Sequence, residues 1–408
     1  MLKTIRSIGA GLNICLFFVL TTIDLHAQLA EDKCRFLGNI IGGYTPSDFA
    51  TYWNQVTPEN AGKWGSVEGT MDVMQWGSLD NAYNFAKANG FPFKQHAFVW
   101  GQQQPAWITT LTPQEQNEQV VAWIQTYCER YPDTQMIDVV NEPLHAPPSY
   151  ASSIGGGGTT GWDWVIWSFE KARAHCPNAK LILNDYNIIN NNSATDSYLA
   201  IINLLKTRGL IDGIGEQGHF LETTPVETLT SNLNKLHATG LPIYISEYDV
   251  NIADPAAQRE KYMEQFPVLW THPGVQGITF WGYRQGEIWR ENAYLIESNG
   301  TERPALTWLK GYVPVASGGK FCSPVTGMKE NESGLRIYPN PATNGNFTLE
   351  SNAGKLHVNI LDLQGRAIQT IHVPQQEPVY VQLQVAPGIY LLEIFNGRKT
   401  TFKKIVVN

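Results

Sequence analysis

Residues 136–143 read Met-Ile-Asp-Val-Val-Asn-Glu-Pro, a run of β-favouring residues that ends in Asn141, Glu142 and a proline. A second run of the same kind, Pro-Ile-Tyr-Ile-Ser-Glu-Tyr-Asp at residues 242–249, brings Glu247 to its end. Short and nearly continuous apolar runs are typical of strands that are buried on both faces of a parallel sheet. Each run therefore predicts a buried strand with a glutamate at its carboxyl end.

Six further runs of this kind bring the predicted strands of residues 28–315 to eight, and amphipathic helical patterns separate most of them. Eight such units over about 280 residues predict a (β/α)8 TIM barrel. A doubly wound open sheet is the alternative, but no GxGxxG sequence follows a strand. The predicted strands are Phe36–Ile41, Trp53–Val56, Phe93–Val99, Met136–Asn141, Lys180–Asn184, Gly213–Glu216, Pro242–Ser246 and Gly277–Trp281, and the predicted helices include Gln114–Arg130, Trp162–His175, Tyr198–Arg208, Val226–Ala238 and Ala256–Leu269.

The composition changes after residue 315. Residues 316–334 are rich in small and polar residues and predict a linker, whereas residues 335–408 alternate apolar and polar residues between turn signals. This pattern predicts a small all-β sandwich of six or seven strands. One alternative for the function of this sandwich is carbohydrate binding. A carbohydrate-binding module displays a row of aromatic residues, and this part of the chain has no Trp. Its aromatic residues mostly occupy alternating positions that suit a core, namely Tyr338, Phe347, Tyr380, Tyr390, Phe395 and Phe402.

The first 27 residues predict a signal peptide, because Lys3 and Arg6 precede an apolar run that is too short to span a membrane. An exported protein folds in an oxidising compartment, where cysteines can pair. Four cysteines remain after the signal. Closure of the barrel predicts a Cys34–Cys322 pair, and the adjacency of successive helices predicts Cys128–Cys176; four unpaired thiols are the alternative.

The charge balance narrows the class of ligand. The net charge of −8 excludes nucleic acid as the main partner, since phosphate binding needs a basic face. The chain has 13 Trp but only 16% charged residues, a combination that suits binding of uncharged sugars as well as a large core.

The two glutamates at strand ends carry the predicted chemistry. Strands four and seven face each other across a closed barrel, and active sites of such barrels lie at the carboxyl ends of the strands. Glycoside hydrolysis needs two carboxyl groups in one cleft, one to protonate the leaving oxygen and one to meet the anomeric carbon. Taken singly, either glutamate could instead be a solvated polar residue at the end of a strand, without a catalytic role.

At these residues the sequence resembles glycoside hydrolase family 10, the (β/α)8 endo-β-1,4-xylanases. The resemblance covers most of residues 35–312 and follows the expected order of strand-end motifs. The motifs are Thr57-Pro-Glu-Asn-Ala-Gly-Lys-Trp64, His96-Ala-Phe-Val-Trp100 with Gln103, Asn184-Asp-Tyr186-Asn, Gly213-Ile-Gly-Glu-Gln217-Gly-His219, and Trp281 with Trp289-Arg290. Three departures stand out: Gly101 where many members have His, Ala61-Gly62 in place of Glu-Met, and Tyr248 in place of Leu.

The resemblance implies a role for each matched residue. Glu142 is the general acid/base and Glu247 the nucleophile, while His219 and Asp249 support the nucleophile and Asn141 binds the sugar 2-hydroxyl. Flat Trp faces stack on sugar rings, and their bulk crowds the hydroxymethyl group of glucose, which favours xylan over cellulose. The implied substrate-binding residues are Glu59, Asn60, Lys63, His96, Trp100, Gln103, Tyr186, Gln217, Trp281 and Trp289.

The C-terminal part resembles the type A sorting domain of the type IX secretion system. The matching segments are Ile337-Tyr-Pro-Asn-Pro341, Asp362-Leu-Gln-Gly-Arg366, Pro387-Gly-Ile-Tyr390 and Lys403-Lys-Ile-Val-Val407. This resemblance implies a secreted or cell-surface protein that meets an export machinery at its C-terminal domain.

Together these features predict a secreted, retaining endo-1,4-β-xylanase that acts on xylan and xylo-oligosaccharides. We expect a monomer with no membrane span and no metal or organic cofactor. A β-1,4-glucanase or a mixed xylanase/cellulase is the alternative on the same barrel, and a non-catalytic xylan-binding protein is the alternative outside the enzymes.

Overall fold

The computed structural model describes residues 28–31, 33–316, 335–351, 354–362, 366–396 and 400–407. The predicted signal peptide and nearly all of the predicted linker lie outside these residues, so both stay predictions. Within the described ranges, no helix combines the length and the apolar character that crossing a membrane requires.

Eight parallel strands form the first domain and confirm the predicted barrel. They are hydrogen-bonded in the order β2-β1-β8-β7-β6-β5-β4-β3, and a parallel bridge between Val56 and Phe93 joins the two ends. The sheet therefore closes, and all carboxyl ends of the strands meet at one rim. The strands are β1 (Phe36–Ile41), β2 (Val56–Pro58), β3 (Lys94–Val99), β4 (Met136–Asn141), β5 (Lys180–Asp185), β6 (Gly213–Glu216), β7 (Ile243–Tyr248) and β8 (Val275–Phe280).

Helices cover the outside of the barrel, and several begin at capping signals in the sequence. Thr112 and Glu115 form a capping box at the start of α4, and the Asp254 side chain caps α8. Helix α6 begins six residues before the predicted Tyr198, because the Asn191 side chain accepts a hydrogen bond from the Ala194 N–H. The helices are α1 (Phe49–Tyr52), α2 (Trp64–Val67), α3 (Gly77–Asn89), α4 (Pro113–Arg130), α5 (Asp163–His175), α6 (Asn192–Lys206), α7 (Val226–His237), α8 (Pro255–Thr271) and α9 (Pro304–Tyr312).

The predicted second strand was wrong in its position. Trp53 lies directly after α1 and is fully buried against Phe280 and Tyr283, so its apolar character reflects core packing and not strand pairing. Strand β7 also continues two residues past its predicted end, and Glu247 is therefore part of the strand.

The two ends of the barrel interior differ in polarity. At the amino end, Phe36, Met136, Ile182 and Tyr244 form an apolar cluster of their own, separate from the large core. These four residues lie at or near the starts of their strands, so they close the bottom of the barrel. The carboxyl end carries the buried polar side chains described below.

One of the two predicted disulfides is confirmed. Cys128 near the end of α4 is bonded to Cys176 just after α5, with Cα atoms 5.3 Å apart. Cys322 lies outside the described residues, so its pairing with Cys34 stays a prediction.

The second domain is all-β, as predicted, with seven described strands. One group is formed by β9, β10 and β13 and the other by β11, β12, β14 and β15, and among the described residues the parallel Val407–Ala342 pair links the two groups. Alternate apolar residues from both groups share one core, as in a sandwich. The strands are β9 (Leu335–Thr343), β10 (Asn346–Ser351), β11 (Leu356–Leu361), β12 (Ala367–Val373), β13 (Val379–Gln382), β14 (Gly388–Phe395) and β15 (Thr400–Val407).

Two sequence expectations for this domain were wrong. Strand β9 was not predicted, because Pro339 and Pro341 look like turn signals although they lie within a strand. The aromatic residues are also divided between core and surface: Phe347 is buried and Tyr390 packs against the core, whereas the exposed fractions of Tyr338, Phe395 and Tyr380 are 45%, 43% and 67%. Each of these three follows an apolar residue that faces the core, namely Ile337, Ile394 or Val379, so each lies on the outward face of its strand.

Candidate active site

The structure brings Glu142 and Glu247 to the same rim of the barrel. Glu142 follows β4 directly and Glu247 lies near the end of β7, and their side chains are 7% and 4% exposed. Glu142 has a φ of 55°, and its N–H donates to the Asn184 carbonyl at 2.7 Å. A left-handed backbone at a non-glycine residue costs roughly 1–3 kcal/mol and is found mostly at functional sites.

The neighbours of Glu142 are neutral hydrogen-bond donors. Trp100 Nε1 donates to one carboxyl oxygen at 2.9 Å, and Gln217 Nε2 donates to the other at 3.1 Å. Burial raises the pKa of Glu142, these two hydrogen bonds oppose the rise, and the nearby charge of Glu247 adds to it. The net shift is upward, so these surroundings favour the protonated form of Glu142 more than water does.

Two histidine rings flank the Glu247 carboxylate, beside the amide of Asn184. His219 Nε2 lies 3.4 Å from one carboxyl oxygen, and His96 Nδ1 lies 3.9 Å from the other. Burial alone would raise the pKa of Glu247, but His96, His219 and the more distant Lys94 outweigh it and lower the pKa to about 2. Glu247 is therefore ionised at neutral pH.

His219 links Glu247 to a second carboxylate. Its Nδ1 lies 2.9 Å from Asp249 Oδ2, and Asp249 also accepts hydrogen bonds from Arg290 at 2.6 Å and Trp289 at 3.1 Å. Burial disfavours the charged imidazole, but Asp249 and Glu247 together raise the pKa of His219 to about 10. The expected series of Glu247, His219 and Asp249 is thus brought together.

A buried charge cluster beneath His96 was not predicted. Asp138 in β4 accepts a hydrogen bond from Lys94 Nζ at 2.8 Å, and His96 Nδ1 lies 3.0 Å from the same oxygen. Part of the signal was present in the sequence, because Asp138 is a charged residue inside an otherwise apolar strand, whereas Lys94 belongs to the polar Lys-Gln-His start of β3. Strand periodicity alone does not show that the two face each other.

Amide side chains connect the two glutamates. Asn184 Nδ2 donates to Glu247 Oε1 and to Asn141 Oδ1, both at 2.8 Å. Asn141 Nδ2 in turn lies 3.4 Å from Glu142 Oε1, and Ser246 Oγ donates to Asn184 Oδ1 at 2.6 Å. Asn184 belonged to a matched motif but received no role from the sequence. Its place opposite Asn141 in the β4–β5 register makes it the bridge.

Lys63, Asn60 and Gln103 form a polar cluster on one side of this centre. Lys63 Nζ donates to Asn60 at 2.9 Å and to Gln103 at 2.6 Å, and it lies 5.0 Å from the centre of the Trp100 ring. Burial lowers the pKa of Lys63, although Glu247, Glu59 and Glu142 oppose that shift. A Cβ at Gly62 would fall 2.6 Å from the His96 carbonyl oxygen, which explains why the sequence has glycine there.

A cleft of about 340 Å³ opens beside Glu59 and Trp289, between the loops that follow β1 and β8. Burial raises the pKa of Glu59. Trp289 is 51% exposed and packs edge-on to His219, whereas Trp281 is buried against His96 and His219. Trp289 thus offers a free ring face, and Trp281 forms the floor beneath the histidines.

Tyr186 lies on the other side of Glu142, with a partner that the sequence did not predict. Its ring stacks on His145 at 4.0 Å, and His145 Nδ1 lies 2.6 Å from the buried Asp185. The segment after His145 is held by Gly101, whose N–H donates to the Ala146 carbonyl at 2.9 Å. A Cβ at Gly101 would fall 2.5 Å from that carbonyl oxygen. The segment after His145 therefore packs too closely for a larger residue at position 101, which explains why this chain has glycine where many members have His.

Comparisons with known proteins agree with this geometry. A model described as Glycosyl hydrolase family 10 matches residues 29–312, and a model described as Secretion system C-terminal sorting domain matches residues 336–408. Among curated proteins, the chain is 46% identical over 280 residues to Endo-1,4-beta-xylanase B of Cellvibrio japonicus, covering 67% of this chain and 45% of that protein. It is 29% identical over 255 residues to Anti-sigma-I factor RsgI6 of Acetivibrio thermocellus, covering 61% of this chain and 32% of that protein. The chain thus spans less than half the length of either relative.

Solved structures give the same fold. Xylanase 10B from Thermotoga maritima superposes with a TM-score of 0.63 at 26% identity, covering 70% of this chain and 97% of that one. A GH10 structure from Paenibacillus barcinonensis superposes with a TM-score of 0.64 at 23% identity, covering 70% of this chain and 97% of that one.

Proposed function

Since the chain belongs to glycosyl hydrolase family 10 by its match over residues 29–312, we propose that it is a retaining endo-1,4-β-xylanase that cleaves internal bonds of xylan. The observation that carries the proposal is that two buried glutamates at one rim have pKa shifts in opposite directions. The surroundings raise the pKa of Glu142 and lower that of Glu247 to about 2. Double displacement needs one protonated and one ionised carboxyl group at the start of the reaction.

The first step forms a covalent intermediate. A Glu247 oxygen attacks the anomeric carbon while the bond from that carbon to the leaving oxygen breaks, and Glu142 gives its proton to that oxygen. In the second step Glu142, now ionised, takes a proton from water. The water oxygen then replaces Glu247 on the anomeric carbon, and the two inversions together retain the configuration.

Four neighbouring side chains support these steps. His219, fixed by Asp249, positions the Glu247 carboxylate and keeps it ionised. The amide of Asn184 orients Asn141, which we assign to the sugar 2-hydroxyl. A hydrogen bond to this hydroxyl becomes stronger as positive charge develops on the ring, so it favours the transition state over bound substrate.

The sugar chain has polar and aromatic contacts on both sides of the centre. Trp289, Trp281 and Trp100 supply aromatic surface, and Tyr186 with its stacked partner His145 lines the leaving-group side. The crowded Trp side suits xylose, which lacks the hydroxymethyl group of glucose. The polar partners beside these tryptophans are Glu59, Asn60, Lys63, His96 and Gln103, with Gln217 beside Glu142.

The decisive test compares reducing ends released from xylan with those released from carboxymethylcellulose. We expect release from xylan and little from carboxymethylcellulose. Equal release from both would favour the mixed enzyme, and none from either would favour a non-catalytic xylan-binding protein. Proton NMR of fresh hydrolysate should show the β-anomer first, and an initial α-anomer would contradict retention.

The sorting-domain match places the protein outside the cell or at its surface. We propose that the C-terminal domain is the part that meets the export machinery. Both glutamates and their supporting side chains come from a single barrel, and we therefore expect an active monomer, which size-exclusion chromatography with light scattering checks.

A further inference from the structure

A second cavity adjoins the cleft beside Glu59 and Trp289. Its volume is about 370 Å³, and the segment Gly42–Tyr44, which follows β1, forms a wall of both cavities. The first half of α3 forms the far wall of the second cavity, and the residues there are Ser78, Asn81 and Asn84. None of these residues received a role from the sequence.

The shared wall is low, because two of its three residues have no side chain. A Cβ at Gly42 would fall 3.0 Å from Glu59 Oε2, so a larger residue would crowd that carboxyl group. A Cβ at Gly43 would meet no described atom within 4 Å, so packing does not require glycine there. The missing side chain at residue 43 leaves open space above the backbone, and a ligand that lies in both cavities can pass through it.

Tyr44 supplies an aromatic ring where the two cavities meet. The residue is 58% exposed, and its hydroxyl donates to Glu287 Oε1 at 2.5 Å, in the loop after β8. This hydrogen bond holds the ring in one orientation, so binding of a ligand costs less side-chain freedom. A fixed and exposed ring can stack on the apolar C–H face of a sugar.

The α3 wall presents neutral hydrogen-bonding groups. Ser78, Asn81 and Asn84 recur every three residues and therefore lie along one side of the helix, where all three are exposed. Thr45 also lines the cavity. Hydroxyl and amide groups both donate and accept hydrogen bonds, as the hydroxyl groups of a sugar require.

The charges around the two cavities disfavour an acidic ligand. The described residues that line the second cavity include no charged side chain. Glu59 and Glu287 line the first cavity, and its Arg284 is already paired with Asp48 at 2.5 Å. A uronic acid would meet a negative potential there, whereas a neutral sugar would not.

We propose that the second cavity binds further sugar units of the xylan main chain, beyond those held in the cleft beside Glu59. The chain passes over Gly43, stacks on Tyr44 and forms hydrogen bonds with Asn81 and Asn84. The choice of xylan rests on the proposed function. A neutral side-chain sugar is the competing occupant, but it would fill a single cavity, whereas these two cavities adjoin each other.

The experiment compares linear xylo-oligosaccharides of different length on the full chain. The measured quantities are the ratio of kcat/KM for xylohexaose to kcat/KM for xylotriose and the bond that is cleaved in xylohexaose labelled at its reducing end. The variants are Tyr44→Ala, Asn81→Ala/Asn84→Ala and Gly43→Leu, which fills the passage between the cavities. Tyr44→Phe keeps the ring, and Asn203→Ala on the exposed side of α6 is the matched control.

We expect Tyr44→Ala and Gly43→Leu to lower the ratio about tenfold, because each removes the stacked sugar. The asparagine pair should lower it about threefold, since two hydrogen bonds to exposed groups are lost. Tyr44→Phe and Asn203→Ala should keep the ratio of the parent.

The cleaved bond reports on the same sites. The second cavity lies beyond Glu59, on the side of the centre opposite to Tyr186, which lines the leaving-group side. In the parent it favours binding with most sugar units on the non-leaving side, so cleavage occurs near the reducing end. In Tyr44→Ala and Gly43→Leu the cleaved bond should move away from the reducing end.

An unchanged ratio with an unchanged cleavage position in Tyr44→Ala and Gly43→Leu would overturn the proposal. An equal fall of the ratio in Asn203→Ala would do the same. An effect confined to arabinose-substituted xylan would assign the cavity to a side-chain sugar and reject the main chain.

Binding of xylohexaose to Glu247→Gln, measured by calorimetry, separates this inference from the proposed function. Weaker binding when Tyr44→Ala is added, together with no cleavage of xylan by the parent, would leave the second cavity as a sugar site and reject the enzyme.

Discussion

Glu142 and Glu247 are the same residue type at the same rim and with nearly the same burial, yet their surroundings are opposite. Neutral donors, Trp100 and Gln217, face Glu142, whereas His219 and His96 face Glu247. Burial alone would raise the pKa of both carboxyl groups, so burial cannot distinguish them. The charges on the neighbouring strands decide which carboxyl group keeps its proton. A strand-end glutamate thus acquires its role from residues on other strands.

The largest expected effect is the loss of the nucleophile. Glu247→Ala should lower kcat on xylan by at least about 10⁴-fold, because no other carboxylate at the rim can form the covalent intermediate. Glu264→Ala on the exposed side of α8 is the matched control and should leave kcat unchanged. Added azide should yield no β-configured product. Substantial activity of Glu247→Ala on purified xylan would reject the assignment.

The next effect separates the acid from the nucleophile. Glu142→Ala should lower the rate on xylan by about 10²–10⁴-fold, the usual contribution of proton transfer. Aryl xylosides with good leaving groups should still be cleaved in the first step, because their leaving oxygen needs no proton. If Glu142→Ala and Glu247→Ala lose both substrates equally, the proposed division of roles fails.

A smaller effect is expected from His219→Gln. The cationic imidazole stabilises ionised Glu247, so its removal should raise the pKa of Glu247 above about 2. The acid limb of the kcat/KM profile should then move to higher pH, while the basic limb, set by Glu142, stays in place. His175→Gln at the end of α5 is the control. A shift of the basic limb alone would contradict the comparison.

The smallest effect on activity is expected far from both carboxyl groups. Replacing Cys128 and Cys176 by serine should lower the free energy of unfolding by up to roughly 4 kcal/mol, because the bond closes a loop across 48 positions. Both limbs of the pH profile should be unchanged in the folded variant. Denaturant unfolding and a pH series at moderate temperature measure the two quantities separately.

The barrel could be predicted because its strands are short, largely apolar runs, and several of them end in polar residues. The candidate glutamates came from the same rule, and motif order supplied their neighbours. Asp138, Asn184 and His145 received no role, because each acts through a side chain on another strand or loop. Trp53 was misplaced for a related reason, since apolarity does not distinguish a strand from the underside of a short helix.

Gly101 has a consequence for how this family of enzymes can change. A side chain at residue 101 is blocked by the backbone of the segment that follows His145, so the two loops constrain each other. We therefore expect a mutation of Gly101 alone to be deleterious, and we expect the same mutation to be tolerated once the neighbouring loop has been shortened or rerouted. The order of mutational steps therefore matters at this rim. A chimera that takes one of these loops from a relative should therefore take both loops, the one with residue 101 and the one after His145.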